Sequence, residues 1–138
     1  MVLDLYAGVG LFSRALKSHF PRVIAVESGA SAYRDLRENV AGVDAVHATA
    51  EEYLARFRGR PDLILADPPR AGLGKLAVSE LFRIRPVEIR VVSCDPSTLA
   101  RDLRGLLDGG YSIDKMALVD LFPQTYHIET IVRLRIAV

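Results

Sequence analysis

Several short stretches of this chain carry side chains that could do chemistry. One holds its single cysteine and runs Ser93-Cys94-Asp95-Pro96-Ser97-Thr98-Leu99-Ala100-Arg101-Asp102. Apolar Ile89 to Val92 precede it and read as a buried strand. Asp95 reads as a helix N-cap and Pro96 as the first helical residue. Leu99, Leu103 and Leu106 follow at helical spacing, and Gly109-Gly110 stops the helix. Cys94 therefore falls at a strand's carboxyl end, just before a helix N-terminus. The partial positive charge there favours a thiolate, the nucleophilic form, with Arg101 a further nearby cation. The alternative is a small buried hydrophobe, a common fate of free cysteine.

A second stretch is the glycine turn Gly8-Val9-Gly10 after an apolar strand. Such a turn lets backbone approach a ligand closely. The third glycine of a dinucleotide fingerprint is absent, since position 13 is Ser13. Glu27 ends the second predicted strand, the usual place for a partner to ribose hydroxyls. Together they suit an adenosine ligand or, equally, a structural turn. Asp67-Pro68-Pro69-Arg70 ends a later strand, where prolines hold an irregular loop over the sheet edge. It reads as a site loop or as a strand terminator. Adenine amino-methyltransferases have an aromatic residue where Arg70 stands, which argues against amine methylation. Glu129 opens the last predicted strand. It is a candidate base if partly buried, but local sequence alone favours a solvated edge residue. His127 reads as a hydrogen-bonded structural residue.

These residues need a scaffold, and 138 residues suffice for one domain with a real core. Half the residues are apolar and the net charge is +1, so no strong electrostatic signal for nucleic acid is present. A local basic patch would be hidden in that sum. One cysteine allows no internal disulfide and fits a reducing compartment. No apolar run is long enough to span a membrane. The histidines and the cysteine have no metal-ligand spacing, and nothing resembles a nucleophile elbow.

Strands are predicted near Val2–Tyr6, Val23–Glu27, Ala45–His47, Leu63–Ala66, Ile89–Ser93, Ser112–Asp120 and Glu129–Ile136. Helices are predicted after the glycine turn, over Gly29–Val40 with Ser28 as cap, over Ala50–Phe57, over Lys75–Phe82 and after Pro96. The alternation predicts an α/β fold. Its sheet is mostly parallel and seven-stranded, with helices on both faces and an antiparallel edge strand.

Four motifs occur in order: Asp4-Leu5-Tyr6-Ala7-Gly8-Val9-Gly10, Asp67-Pro68-Pro69-Arg70, the Ser93 to Asp102 stretch, and Asp120-Leu121-Phe122-Pro123-Gln124-Thr125-Tyr126-His127-Ile128-Glu129. Together they resemble the RNA 5-methyluridine methyltransferase family, which methylates C5 of uridine in tRNA or ribosomal RNA with S-adenosylmethionine. The resemblance covers essentially the whole chain. It implies a Rossmann-like methyltransferase fold over residues 1–138, acting on RNA in the cytoplasm with no metal and no membrane. It implies that Cys94 is the nucleophile and Glu129 the general base. It also implies that Tyr6, Gly8, Gly10, Glu27 and Asp67 line the cofactor site. The upstream RNA-binding barrel and cofactor-touching glutamine of family members have no counterpart here. The expectation is a catalytic domain alone, with two alternatives: a non-catalytic cofactor-binding remnant, or a methyltransferase for a non-RNA substrate.

Overall fold

A computed structural model describes residues 1–121, 123–125 and 128–136. Phe122, Tyr126 and His127 lie outside the described residues, and with them the structural role expected of His127. The strands are β1 (Val2–Leu5), β2 (Val23–Glu27), β3 (Asp44–His47), β4 (Leu63–Ala66), β5 (Glu88–Ser93), β6 (Tyr111–Val119) and β7 (Glu129–Ile136). The helices are α1 (Leu11–Leu16), α2 (Ala30–Asn39), α3 (Ala50–Arg56), α4 (Gly74–Ile84) and α5 (Pro96–Asp108).

One seven-stranded sheet runs in the order β3-β2-β1-β4-β5-β7-β6. The first five strands in that order pair in parallel. β7 runs antiparallel to both β5 and β6. The expected antiparallel pairing is therefore at this end of the sheet. The reversed strand is one in from the edge, and β6 takes the edge itself.

Every residue of β1 and β4 is buried, as parallel strands covered on both faces must be. Alternate residues divide between the two sides. Leu3, Leu5, Ile24, Val26, Ile64 and Ile89 pack with Leu54 of α3, Leu81 of α4 and Leu103 of α5. On the opposite side, Val2, Val23, Leu63 and Leu65 pack with Leu16 of α1, and Ala25 packs with Leu36 of α2. β6 is mostly exposed, with a bulge between Ile113 and Lys115.

The local signals for α5 are realised in detail. The Asp95 side chain accepts from Thr98 N at 2.9 Å, Pro96 opens the helix, and Gly109 closes it. At α2 the expected Ser28 cap is replaced. Gly29 is the N-cap residue and has no side chain to offer. Its own N–H donates to Glu27 Oε1 at 2.6 Å, so the preceding carboxylate satisfies this helix entrance.

The two glycines of the first turn do different work. Gly8 has φ +55° and open space where a Cβ would lie. Gly10 has φ +96°, and a Cβ there would come within 2.6 Å of Val40 Cγ2 and 2.8 Å of Leu36 Cδ1. Gly10 thus lets α1 seat against α2. Gly10→Ala should cost about 2–4 kcal/mol, from overpacking plus left-handed strain, whereas Gly8→Ala should cost about 1 kcal/mol. Urea denaturation of the two variants checks the difference.

Candidate active site

The sheet register gathers the predicted residues at one edge. Leu5 pairs with Val26 and Ala66, so Tyr6 stands between Glu27 and Asp67. Ala66 pairs with Val91, which sets Asp67 beside the end of β5. Ser93 pairs with Thr130 across the antiparallel ladder. Cys94 directly follows Ser93, and Glu129 directly precedes Thr130, so both flank this last pair. Residues 94 and 129, from distant parts of the chain, thus become neighbours.

Cys94 crowns a tight turn. Ser93 Oγ donates to Asp95 O at 3.0 Å and accepts from Asp95 N at 3.2 Å. The side chain before Cys94 thereby ties down both backbone groups of the residue after it. Cys94 and Glu129 are each partly exposed, open to a reactant yet fixed by the sheet. Arg101, expected to stand near the thiol, is engaged elsewhere. Its guanidinium donates to Asp102 Oδ1 at 2.9 Å and to Ala71 O at 2.7 Å.

A cleft of about 550 Å³ opens at the ends of β1, β2 and β4. Tyr6, Glu27, Ser28, Thr49, Ala50, Glu51, Asp67, Pro68 and Pro69 line it. Three of the expected cofactor residues are therefore on its wall. Gly8 stands behind it, its N–H donating to Glu27 Oε2 at 2.8 Å. Gly10 lies off the wall, against α2. Sequence reasoning missed Ser28, Thr49, Ala50 and Glu51. A signal for them existed: Thr49 and Glu52 form a capping box at the start of α3. That box marks another strand-to-helix turn on the same sheet edge.

The electrostatics are acidic. Partial burial and the nearby Glu129 charge push the Asp67 carboxyl above its ordinary value. Burial pushes the Tyr6 phenol up, and the charges of Glu51 and Asp102 add to this. The Tyr6 hydroxyl is buried without a hydrogen-bond partner among the described residues. Beneath the cleft, Asp4 is fully buried and accepts from Ser13 Oγ at 2.5 Å. Its other oxygen has no hydrogen-bond partner among the described residues. Burial pushes Asp4 up to about 6, with Ser13 pulling back and Asp67 adding to the rise.

The cleft suits an adenosine-bearing cation. Its size is ordinary for a small-ligand pocket. Glu27 offers a carboxylate to hydroxyl groups, and Asp67 and Glu51 offer negative charge. Among the described residues, no cluster of His, Cys, Asp and Glu could hold a metal ion. No helix among them is long and apolar enough to cross a membrane.

Comparison with known proteins agrees with this geometry. The family model described as tRNA (Uracil-5-)-methyltransferase matches residues 54–136, which include Asp67, Cys94 and Glu129. The chain belongs to that family. An uncharacterized RNA methyltransferase of Thermotoga maritima is 44% identical over 97% of this chain, and the match covers 32% of that protein. A 23S rRNA (uracil(1939)-C(5))-methyltransferase of Shewanella sediminis is 43% identical over 93% of the chain and 30% of its own length. The chain thus spans about a third of the curated relatives it matches. A crystal structure of Pyrococcus abyssi tRNA (uracil-54, C5)-methyltransferase, in complex with S-adenosyl-L-homocysteine, superposes with a TM-score of 0.84. It is 34% identical, and the match covers 96% of this chain and 33% of that one. The fold is the Rossmann-like fold of S-adenosylmethionine-dependent methyltransferases. A precorrin-6y C5,15-methyltransferase of Geobacter metallireducens shares it at a TM-score of 0.81 and 20% identity.

Asp4 makes the family's first motif a source of pH dependence. Its folded-state pKa lies above the ordinary 3.8. The stabilising contribution is therefore full below that value and is lost as pH rises through about 6. Asp4→Asn should be more stable than the parent at pH 8, by as much as about 3 kcal/mol. The gain should shrink towards zero near pH 4. Urea denaturation at the two pH values is the check.

Proposed function

We propose that this chain transfers a methyl group from S-adenosylmethionine to C5 of a uridine in tRNA or ribosomal RNA, acting in the cytoplasm. The observation that carries this reading is the juxtaposition of Cys94 and Glu129 beside the acidic cleft. Uracil-C5 chemistry needs both groups. C5 is a poor nucleophile until a thiolate adds to C6. One thiol and one carboxylate within reach of a single ring meet that need without a metal.

S-adenosylmethionine, when bound, supplies an electrophilic methyl group on a sulfonium. In the cleft, Glu27 would hold its ribose hydroxyls, and Tyr6, Glu51 and Asp67 would face its remaining polar and cationic groups. The Cys94 thiolate forms a bond to C6, and the C5–C6 double-bond electrons move into the ring as an enolate. C5 would then take the methyl group with the enolate's electron pair, the S–CH3 bonding pair staying on the donor sulfur as a neutral thioether. Glu129 accepts the C5 proton, the C5–C6 double bond reforms, and the thiolate leaves. The proton on Glu129 passes to water. The uridine must leave its stack to be reached in this way, which favours a looped or single-stranded RNA substrate.

The two catalytic roles separate in time, and variants should expose this. Cys94→Ala should give neither a covalent RNA complex nor methylation. Glu129→Gln should still add to C6 and allow methyl transfer to C5, then stall as a cross-linked adduct. A denaturing gel with uridine-containing RNA and S-adenosylmethionine would show that slow band. A Glu129→Gln protein that turns over without an adduct would remove Glu129 as the base. Independently, Glu27→Ala should weaken S-adenosylhomocysteine binding by about 0.5–1.5 kcal/mol for each lost hydrogen bond. Calorimetric titration measures that loss.

A further inference from the structure

The loop from Asp67 to Leu73 has no regular secondary structure, yet its first three residues, Asp67, Pro68 and Pro69, line the cleft. Neighbouring residues of α5 hold it. Thr98 Oγ1 donates to Arg70 O at 2.9 Å. Arg101 Nη2 donates to Ala71 O at 2.7 Å. Asp102 Oδ2 accepts from Leu73 N at 2.6 Å. The helix positions are i, i+3 and i+4, so all three side chains share one face. Asp102 is 3% exposed. Its second oxygen takes Arg101 Nε at 3.1 Å and Nη2 at 2.9 Å, so the buried charge is fully engaged.

Gly72 shows how close the fit is. It has φ +78°, and a Cβ there would strike the Asp102 carboxylate and lie 2.8 Å from Arg101 Nη2. Only a bare backbone passes between these groups. Two electrostatic links reach from this cluster to the site. The Asp102 charge acts on the Tyr6 phenol, and the Arg70 charge acts on Asp95, next to Cys94.

We propose that Asp102, with Arg101 and Thr98, is a latch that positions the Asp67–Leu73 loop against the cofactor cleft. α5 begins directly after the Cys94 turn, so one helix sets both the nucleophile and the cleft wall. Asp102 acts here as a positioning residue, touching neither substrate nor cofactor. Its consequence for cofactor binding rests on the function proposed above.

Amide hydrogen exchange and calorimetry on the intact chain test the latch. In Asp102→Ala, the Leu73 amide and its neighbours in the loop should exchange at least tenfold faster. The amides of β4 and β5 should keep their protection. S-adenosylhomocysteine should bind several-fold more weakly, and Asp102→Asn, which retains an acceptor for Leu73 N, should restore much of the difference. Should Asp102→Ala fail to fold, Thr98→Val removes the hold on Arg70 O, along with a longer contact to Asp95 O at 3.4 Å, and should still loosen the loop locally. Unchanged Leu73 protection overturns the latch. So does deprotection spread evenly over β4 and β5, which would mark Asp102 as part of the general scaffold. Unchanged affinity in a parent that does bind the ligand also overturns it. The exchange result decides the latch even if the parent chain fails to bind, a failure that counts against the cofactor reading alone.

Discussion

The antiparallel ladder between β5 and β7 is the constraint on which the site depends. Its six residue pairs run from Glu88 with Arg135 to Ser93 with Thr130. A strand pair has a side-chain period of two, so a slip of one residue would turn Glu129 to the other face of the sheet. Burial prevents that slip. Val132 and Leu134 are fully buried in the core shared with Ile89 and Val91. An ion pair on the opposite face reinforces the register: Glu88 of β5 takes Arg135 of β7 at 3.1 Å. The hydrophobic core thus sets where a carboxylate stands relative to a thiol.

The site itself is made of chain that has just left a strand. Tyr6, Glu27, Asp67 and Cys94 each follow or end a parallel strand, where backbone groups have lost their ladder partners. Side chains replace those partners. Glu27 ties Gly8 to Gly29, and Ser93 closes the turn around Cys94. Polar contacts of this kind define the irregular loops. The apolar packing beneath them provides the rigidity that α/β sheets lend to sites at their carboxyl edge.

Much of this was legible in the sequence, for definite reasons. Asp95-Pro96 with Leu99, Leu103 and Leu106 states a helix start and its buried face locally. The glycine turn and the buried runs of β1, β2 and β4 are equally local signals. Two features were not local. Apolar alternation in β7 indicates which face is buried but says nothing of the neighbouring strand. The sequence therefore could not reveal that β7 inserts between β5 and β6, and Glu129 read alone as an edge residue. Gly10 looked like part of a ligand-binding turn. Its tightest contacts are with Val40 and Leu36, which come from a helix encoded later in the chain.

The insertion of β7 has a consequence for the order in which the molecule is made. Every parallel strand, the thiol and the α5 helix precede β7 in the chain. During synthesis, the residues of the cleft wall and Cys94 are made before Glu129. In the finished sheet β7 lies between β5 and β6, the two strands that precede it in the chain. A nascent chain thus carries Cys94 before it carries Glu129. The relation between residues 94 and 129 is thus made only when β7 joins β5.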